Sequence, residues 1–464
     1  MKLGRGVFGS GLSWAMILLL ALGIGATTAM FSIVNGVLLK PLNLRDPGQV
    51  VLLGQKIAPQ VVPEDFTWFV NPVEITAWTR QAGDLQGLAY LQARSLALPN
   101  SGRPLLLHGA AVTPNFFDVL EVRPLLGRNF VSNDAANITQ TESNPIIITH
   151  QLWQAQFGAD PGVIGRHVGP PGDEATIVGV LPAGFNLGGR SLGPMTEGEP
   201  VEYYQAWQLS PKAFQTNTDV FSDFNFNVIA RLKPGVTAAK AQAQLNTIEA
   251  NLSRSAHKDL TLTGVVKPMR DYTVADAQQE LWLLLGGVLA VLLVVCVNLG
   301  GLWVTRIADR SRDWAIRSAL GAAPGRLVRQ VLGESILLAV VGGILGIICA
   351  AVTLRFLLAA APAGIPRLDQ VHLDWRVVAF GLGLSIIAGL ITGLVPALRL
   401  SQSDPHSYLK ASGKSTTADR STLGSRQTLI AVQAALSTLL LVAAGLLGLS
   451  FYHLVHQPTG FASA

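Results

Sequence analysis

The sequence has few of the residues that disulfide-stabilised, metal-binding or soluble catalytic proteins need. It contains only two cysteines in 464 residues, and charged residues make up 14% of the chain. Cys296 and Cys349 both fall in apolar segments, so they cannot cross-link a polar domain. The eight histidines form no His-x-x-x-His pair, and no Cys-x-x-Cys or Gly-x-Ser-x-Gly motif occurs. These absences speak against a disulfide framework, a metal cluster and a serine hydrolase.

Charge is missing altogether from five long stretches of the chain. They cover residues 6–39, 281–305, 335–354, 377–398 and 427–464. Each reaches the roughly 20 apolar residues that a helix needs to cross about 30 Å of hydrocarbon. We therefore expect an integral membrane protein with about five transmembrane helices, and a large α+β extracytoplasmic domain between the first and second.

The basic residues of the short loops predict the orientation. Six arginines lie between residues 306 and 329, and five basic residues lie between residues 399 and 426. By the positive-inside rule, the N-terminus is cytoplasmic and the large domain lies outside. Residues 40–280 carry 18 basic and 22 acidic side chains, a net charge of −4, and the rest of the chain carries +9. The basic balance is thus a topology signal, and we expect no nucleic-acid partner.

The extracytoplasmic domain shows alternating strand and helix patterns. Strands are predicted at residues 50–54, 146–149, 175–181 and 227–232, and helices at residues 72–81, 151–157 and 237–251. The uncharged first segment spans 34 residues, or roughly 51 Å as a helix, which exceeds the membrane thickness. Residues 271–280 are expected to extend the second helix in the same way.

These patterns divide the chain into five parts. They are a first helix (1–39), the α+β domain (40–275), a membrane domain with helices two to four (276–400), a cytoplasmic linker (401–427) and a fifth helix (428–464). The fifth helix resembles the first in its apolar run and its aromatic end. We therefore expect it to begin a second repeat of a duplicated protein.

The predicted membrane helices offer little chemistry. Glu334 and Arg355 are placed at the two ends of the third helix, where their side chains can reach the interface. The glycines are expected to permit close helix packing rather than to line a pore: Gly342, Gly343, Gly346, Gly389 and Gly393. Gly413-Lys414-Ser415 lacks the earlier glycine of a phosphate-binding loop, because Tyr408 stands there. We expect no bound cofactor.

The loop between the second and third helices is the best candidate for a site. Ser311 can cap a short helix that ends at Gly321, and Ile316 and Leu320 belong to an apolar stripe along it. Asp313 and Arg317 form an i,i+4 pair. This helix could dock on a cytoplasmic partner. The alternative, which composition alone favours, is a basic segment that only fixes the orientation.

Residues 311–322, Ser-Arg-Asp-Trp-Ala-Ile-Arg-Ser-Ala-Leu-Gly-Ala, resemble the cytoplasmic loop of MacB/FtsX-type ABC transporter permeases. Residues 114–120 (PNFFDVL), 126–130 (LGRNF) and 177–182 (IVGVLP) resemble the MacB-like periplasmic core domain. One departure is that the family's usual Arg-Glu-Ile is Arg312-Asp313-Trp314 here, which affects the docking contacts.

The resemblance implies a permease without its own ATPase, in the inner membrane of a bacterium. ATP would be bound by a separate cytoplasmic ABC ATPase subunit, and two permease units would pair in the membrane lipid. A periplasmic adaptor is a further partner that the family allows. The coupling helix implied by the family contains Arg312, Asp313, Trp314, Ile316, Arg317, Leu320 and Gly321. In this branch, movement of the long helices drives the outer domain, which acts on a periplasmic cargo.

Two other functions remain open from the sequence. The chain could be a sensor whose outer domain binds a ligand, or a regulator of cell-wall hydrolases. A receptor would normally carry a long cytoplasmic output domain, and the longest cytoplasmic stretch here is under about thirty residues by the predicted topology.

Overall fold

The computed structural model describes residues 11–58, 67–98, 105–136, 144–172, 174–185, 187, 201–208, 224–255, 261–309, 324–360 and 371–402, with scattered positions between 431 and 449. The chain forms two compact units. The sheet unit consists mainly of residues 37–278, and the helical unit contains residues 1–36, 279–360 and 369–464.

Ten strands form one sheet in the sheet unit, in the order β10-β1-β9-β2-β3-β8-β5-β7-β4, with β6 paired to β7. The strands are β1 (Val50–Ala58), β2 (Leu85–Leu98), β3 (Leu105–Val112), β4 (Leu126–Gly127), β5 (Asn144–Ile148), β6 (His167–Val168), β7 (Ala175–Val180), β8 (Tyr203–Ala206), β9 (Asn227–Leu232) and β10 (Thr261–Pro268). The β3–β8 and β5–β7 pairs are parallel, and the other pairs are antiparallel.

The helices are α1 (Gly11–Val34), α2 (Pro72–Gln81), α3 (Phe116–Leu120), α4 (Ser132–Ala136), α5 (His150–Phe157), α6 (Ala238–Ser255), α7 (Met269–Asp309), α8 (Pro324–Ala360) and α9 (Trp375–Gln402). A π-helical turn, Asn35–Leu39, follows α1 directly. Two short 3₁₀ turns lie at Pro47–Gln49 and Pro161–Val163.

The central strands are buried on both faces, which explains their continuous apolar runs. Along β1, Val50 and Leu52 pack in one core cluster, and Val51 and Leu53 pack in another. Successive side chains of a strand point to opposite faces, so the sheet must be covered on both sides here. The first cluster includes the aromatic residues of α3, and the second includes apolar residues of α2 and α6.

Helix α6 closes the outer edge of strand β10. The hydroxyl of Ser253 accepts a hydrogen bond from the Leu262 amide at 2.7 Å. The side-chain amide of Gln242 accepts from the Val266 amide at 2.7 Å and donates to the Gly264 carbonyl. An exposed strand edge would otherwise offer these backbone groups to another chain. The helix therefore makes this edge unsuitable for strand addition by a partner.

The predicted elements of the sheet unit are largely confirmed. The structure has helices at Pro72–Gln81, His150–Phe157 and Ala238–Ser255, and strands begin at or near each predicted start. Sequence patterns missed β2, β3, β8 and β10, and also the two-residue strands β4 and β6. Strand β2 contains Gln, Ala, Arg and Ser, which have modest strand propensity, and the tertiary pairing of β2 with β3 and β9 overrides it.

Within the part of the chain that the structure describes, four helices are long and apolar enough to cross a membrane: Gly11–Leu39, Ala277–Trp303, Val328–Leu358 and Trp375–Leu394. The expected membrane protein with a large domain between its first and second helices is confirmed. The fifth predicted helix, residues 428–451, lies mostly outside the described residues, and those of its positions that are described are helical. The extension of the second helix is confirmed, because α7 is continuous over 41 residues from Met269.

Candidate functional site

The predicted coupling helix lies outside the described residues, so its conformation stays a prediction. Its seven candidate residues fall between the end of α7 at Asp309 and the start of α8 at Pro324: Arg312, Asp313, Trp314, Ile316, Arg317, Leu320 and Gly321. The described residues that flank this segment on α7 and α8 show how it connects to the rest of the helical unit.

On the α7 side, a buried arginine joins two membrane helices. Arg306 is only 6% exposed, and its Nη1 donates a hydrogen bond of 3.0 Å to the hydroxyl of Ser13 near the start of α1. Its guanidinium also lies over the Trp303 ring, 5.3 Å from the ring centre. A buried cation is retained only where hydrogen bonds and aromatic faces replace its water shell. Arg306 therefore ties the end of α7 that precedes the predicted coupling helix to α1.

On the α8 side, the structure corrects the expectation for Glu334. We expected this side chain to reach the membrane interface from the end of the third helix. Helix α8 begins ten positions earlier, at Pro324, and Glu334 is buried with its carboxylate accepting a hydrogen bond of 3.2 Å from Gln330. The uncharged run began only after Glu334, and this boundary was mistaken for the helix end. Arg355, by contrast, is exposed.

Helices α1 and α8 pack so closely that their glycines face backbone atoms. A Cβ atom placed on Gly346 would lie 2.8 Å from the carbonyl oxygen of Ala21 and 3.0 Å from the amide nitrogen of Gly25. One placed on Gly25 would lie 2.8 Å from the Gly346 carbonyl oxygen, and one on Gly342 would lie 2.8 Å from the Leu20 Cβ. Only glycine permits this approach, and small residues at such contacts drive helix association in membranes.

The same arrangement joins α8 to α9. A Cβ atom on Gly389 would lie 2.9 Å from the Cα atom of Ile336, and Gly343 and Gly393 face the serines Ser385 and Ser335. The expectation that the five glycines pack rather than line a pore is therefore confirmed at every one of them. We call the contacts of these glycines and of Gly25 the glycine interface of α1, α8 and α9.

Most of the buried hydroxyl groups of these helices make hydrogen bonds to backbone carbonyls, whereas the buried hydroxyl of Thr28 has no hydrogen-bond partner among the described residues. Thr27, Ser385 and Thr392 each donate to the carbonyl four residues earlier in the same helix, at 2.7 to 2.9 Å. Ser335 donates across the interface to the Gly389 carbonyl at 2.9 Å. No group of metal ligands occurs in the described part of the chain.

The other end of α1 is held to the segment that precedes α9. Asn35 lies in the π-helical turn, is 2% exposed and donates a hydrogen bond of 3.2 Å to the Asp374 carboxylate. The other oxygen of Asp374 accepts from the first amides of α9, at 3.1 Å. The rings of Phe31 and Phe380 stack with their centres 3.9 Å apart. π-Helical turns are rare and concentrate at functional positions. The junction between α1 and the segment before α9 is therefore a second candidate functional site.

Sequence reasoning missed these polar contacts for identifiable reasons. Arg306 looked like a loop charge because it ends an uncharged run, and Ser13 and Asn35 looked like neutral residues of an apolar helix. A buried pair of glutamates in the sheet unit, Glu74 and Glu249, was also missed. Glu249 follows Leu245 by one helical turn on the apolar stripe of α6, and that spacing could have revealed its burial.

Comparison with known proteins decides the family. Residues 13–248 match the family model of the MacB-like periplasmic core domain, and residues 285–405 match that of the FtsX-like permease C-terminal domain. The first match alone covers half of the chain. The chain belongs to the MacB/FtsX family of ABC transporter permeases.

Individual relatives of this family are distant. The chain is 25% identical over 351 residues to the probable syringafactin export ATP-binding/permease protein SyfD of Pseudomonas syringae pv. syringae, which covers 69% of this chain and 48% of that protein. It is 23% identical over 303 residues to the ABC transporter permease YknZ of Bacillus subtilis, which covers 64% of this chain and 68% of YknZ. The chain thus spans about half of the first relative and two thirds of the second.

Among solved structures, the periplasmic region of MacB from Actinobacillus actinomycetemcomitans aligns with a TM-score of 0.32 and 11% identity, covering 54% of this chain and 97% of that region. Some relatives are named as fused ATP-binding/permease proteins, whereas YknZ is named as a permease.

Proposed function

We propose that this chain is the permease of an exporter whose membrane helices transmit movement and do not conduct the substrate. ATP is bound and hydrolysed by a separate cytoplasmic subunit, and the permease itself holds no cofactor. The resulting motion drives the sheet unit, which acts on a substrate outside the cytoplasm for export or extraction. In this proposal the N-terminus lies in the cytoplasm and the sheet unit in the periplasm.

The glycine interface is the observation that carries this proposal. An ion-coupled carrier needs carboxylates near the middle of the membrane and unwound helices around a binding site. Here α1, α8 and α9 are close-packed, and the buried hydroxyl groups of Thr27, Ser335 and Thr392 bond to backbone carbonyls. Glu334 is the one buried carboxylate that the described residues of these helices provide. Such a bundle is suited to move as a packed body when one of its loops is pushed.

The segment 311–322 is the proposed docking site for the ATPase subunit. It joins α7 to α8, so a subunit that binds there acts directly on both helices. Movement of α7 would be transmitted to α1 through the Arg306–Ser13 hydrogen bond. Movement of α8 would be transmitted to α1 and α9 through the glycine interface. The apolar stripe with Ile316 and Leu320 would supply the contact, and Asp313 would occupy the position of the family's usual glutamate.

A second permease unit is the other partner that we propose. On α1, Trp14, Leu18 and Leu22 are 52%, 58% and 67% exposed, and on α7 Leu283 is 67% exposed. In a membrane these faces contact either lipid or another permease unit, and pairing would place two coupling segments against two ATPase subunits. A periplasmic adaptor would bind to the sheet unit.

The ATPase activity of the purified proteins tests whether ATP is hydrolysed by a separate subunit. The full chain alone, in lipid nanodiscs, should hydrolyse no ATP, because Gly413-Lys414-Ser415 lacks the rest of a phosphate-binding loop. Adding the cognate ATPase subunit should give hydrolysis that the permease stimulates, and Lys414→Ala should leave that rate unchanged. Hydrolysis by the chain alone that disappears in Lys414→Ala would overturn the proposal.

A further inference from the structure

Two glutamates are buried in the sheet unit, one on each of the contacting helices α2 and α6. Glu74 on α2 and Glu249 on α6 are both 0% exposed, and they pack among the apolar residues of the cluster that contains Trp78 and Leu245. Glu74 and Trp78 are one helical turn apart on α2, and the Trp78 indole bonds to Glu249, so both carboxyl groups lie at the contact between α2 and α6. An ionised carboxylate in such a place costs several kcal/mol unless it is paired with a cation or neutralised by a proton.

One oxygen of each carboxyl group has a well-defined partner. Glu249 Oε1 accepts a hydrogen bond of 2.5 Å from the indole nitrogen of Trp78. Glu74 Oε2 accepts from the Asn71 amide at 3.1 Å, as part of the capping box that begins α2. The other two oxygens, Glu74 Oε1 and Glu249 Oε2, are buried and have no hydrogen-bond partner among the described residues. Two ionised carboxylates are acceptors only, so a proton on one of them is what would supply a donor at this contact.

The charged side chains on the surrounding elements are either exposed or engaged in other contacts. Lys240 at the start of α6 pairs with Asp84 at 3.0 Å, and Arg254 near its end bonds to the Ala250 carbonyl and the Asn251 side chain. Arg80 on α2, Lys56 on β1 and Arg94 on β2 are exposed, and Lys267 on β10 lies over the Tyr272 ring. Arg231 on β9 bonds on the opposite face of the sheet. Gln55 on β1 is also buried, and its Oε1 is a further acceptor with no hydrogen-bond partner among the described residues.

We propose that Glu74 and Glu249 form a proton-binding site that joins α2 to α6. A proton carried by one carboxyl group is donated to the free oxygen of the other, so both unpartnered atoms are satisfied and at most one negative charge remains buried. When the proton leaves, two carboxylates face each other inside an apolar cluster, and the contact between α2 and α6 weakens. The sheet unit is therefore tightened by acid and loosened by alkali at this contact.

The titration behaviour of the two groups agrees with this geometry. Burial raises the pKa of Glu249 from 4.5 to about 7, against the lowering effect of the Trp78 hydrogen bond. Burial first, and repulsion by Glu249 second, raise the pKa of Glu74 well above its ordinary value. Because both pKa values are higher in the folded protein than in the unfolded chain, the stabilisation is complete below about pH 4.5 and is lost as the pH rises through 7. The two protons belong to the pair rather than to either residue.

Hydrogen exchange of the backbone amides of α2 and α6, followed by mass spectrometry on the full chain in nanodiscs, tests the site. After correction for intrinsic exchange, the opening constant of these helices should rise about tenfold per pH unit near neutrality if one proton is released on opening. Glu249→Gln mimics the protonated group, since its oxygen can accept from Trp78 and its amide can donate to Glu74. This variant should show a much weaker pH dependence.

Asp84→Asn is the matched control, because Asp84 lies next to α2 and α6 but outside the buried pair, and this variant should keep the wild-type pH dependence. Identical pH dependence in wild type and Glu249→Gln would overturn the proposal. If Glu249→Gln does not fold, two other measurements test the site. They are the pH dependence of hydrogen exchange in Glu74→Gln and the infrared C=O band of a protonated carboxylic acid. The wild-type chain should show that band at pH 6 and lose it at high pH, and its absence at pH 6 would also overturn the site. None of these outcomes depends on the proposed coupling to an ATPase.

Discussion

The glycine interface makes a quantitative prediction for a single methyl group on α8. In Gly346→Ala the new Cβ would lie 2.8 Å from the Ala21 carbonyl oxygen, whereas ordinary contact begins at 3.4 Å. The shortfall is 3.4 − 2.8 = 0.6 Å, and both nearby atoms belong to the α1 backbone, which no side-chain rotation can move. The helices must therefore separate by about 0.6 Å, which forfeits up to about a half of the contact energy per atom pair at the interface.

Overpacking of this kind costs about 1–3 kcal/mol. Alanine is also a better helix former than glycine by about 1 kcal/mol, which partly hides the cost. Gly333→Ala on the same helix supplies the correction, because nothing lies within 4 Å of a Cβ at Gly333 and that position is exposed. The difference between the two variants should therefore reveal a destabilisation of about 1–3 kcal/mol at Gly346.

Unfolding in detergent can be followed through the native thiol in the helical bundle. Cys296 is buried among residues of α1, α7 and α8, and Cys349 is exposed, so a Cys349→Ser background leaves one reporter for a thiol-reactive dye. Labelling of Cys296 should begin at a lower temperature in Gly346→Ala than in Gly333→Ala. Equal labelling curves would refute the close approach of α1 and α8.

Two further predictions concern the sheet unit and the topology. Replacing the buried Arg231 with Met removes its hydrogen bonds to the carbonyls of Val119 at 2.7 Å and Arg45 at 3.2 Å. The free energy of unfolding of the sheet unit should fall by roughly 2–5 kcal/mol in thermal or denaturant unfolding. An unchanged midpoint would contradict this role. In a Cys-free background, a cysteine at Ser132 should react with an impermeant thiol reagent in intact cells, and one at Ser415 should react only after the membrane is opened; labelling of position 415 in sealed cells would reject the predicted orientation.

The sequence determined the membrane architecture well, because lipid leaves little choice. Inside lipid, uncharged apolar runs of about 20 residues or more are expected to be helices, and each of the four described spans overlaps one of these runs. The helix ends were less predictable. Charged residues such as Arg306 and Glu334 are carried inside the bundle by specific partners, and composition alone cannot show that a partner will be present.

The sheet unit shows the same contrast between local and long-range determinants. Helix α2 was predictable because Asn71, Pro72 and Glu74 form a local start signal. Of the six missed strands, the four longer ones each pair with a distant partner: β3, for example, pairs with β8 across about 90 residues of sequence. The Glu74–Glu249 contact likewise joins residues that are 175 positions apart (249 − 74).

Binding of the ATPase subunit by a Leu320→Asp variant tests the central proposal most directly. If the segment 311–322 docks on that subunit, a carboxylate in the middle of its apolar stripe must be buried without a partner, which should cost more than losing a charge at the rim. Leu320→Asp should insert into the membrane at wild-type levels but lose the co-purified ATPase subunit and its stimulated activity. Arg310→Ala, outside the helix, should keep both. Normal binding and stimulation in Leu320→Asp would show that the segment only fixes orientation, and would contradict the proposed coupling.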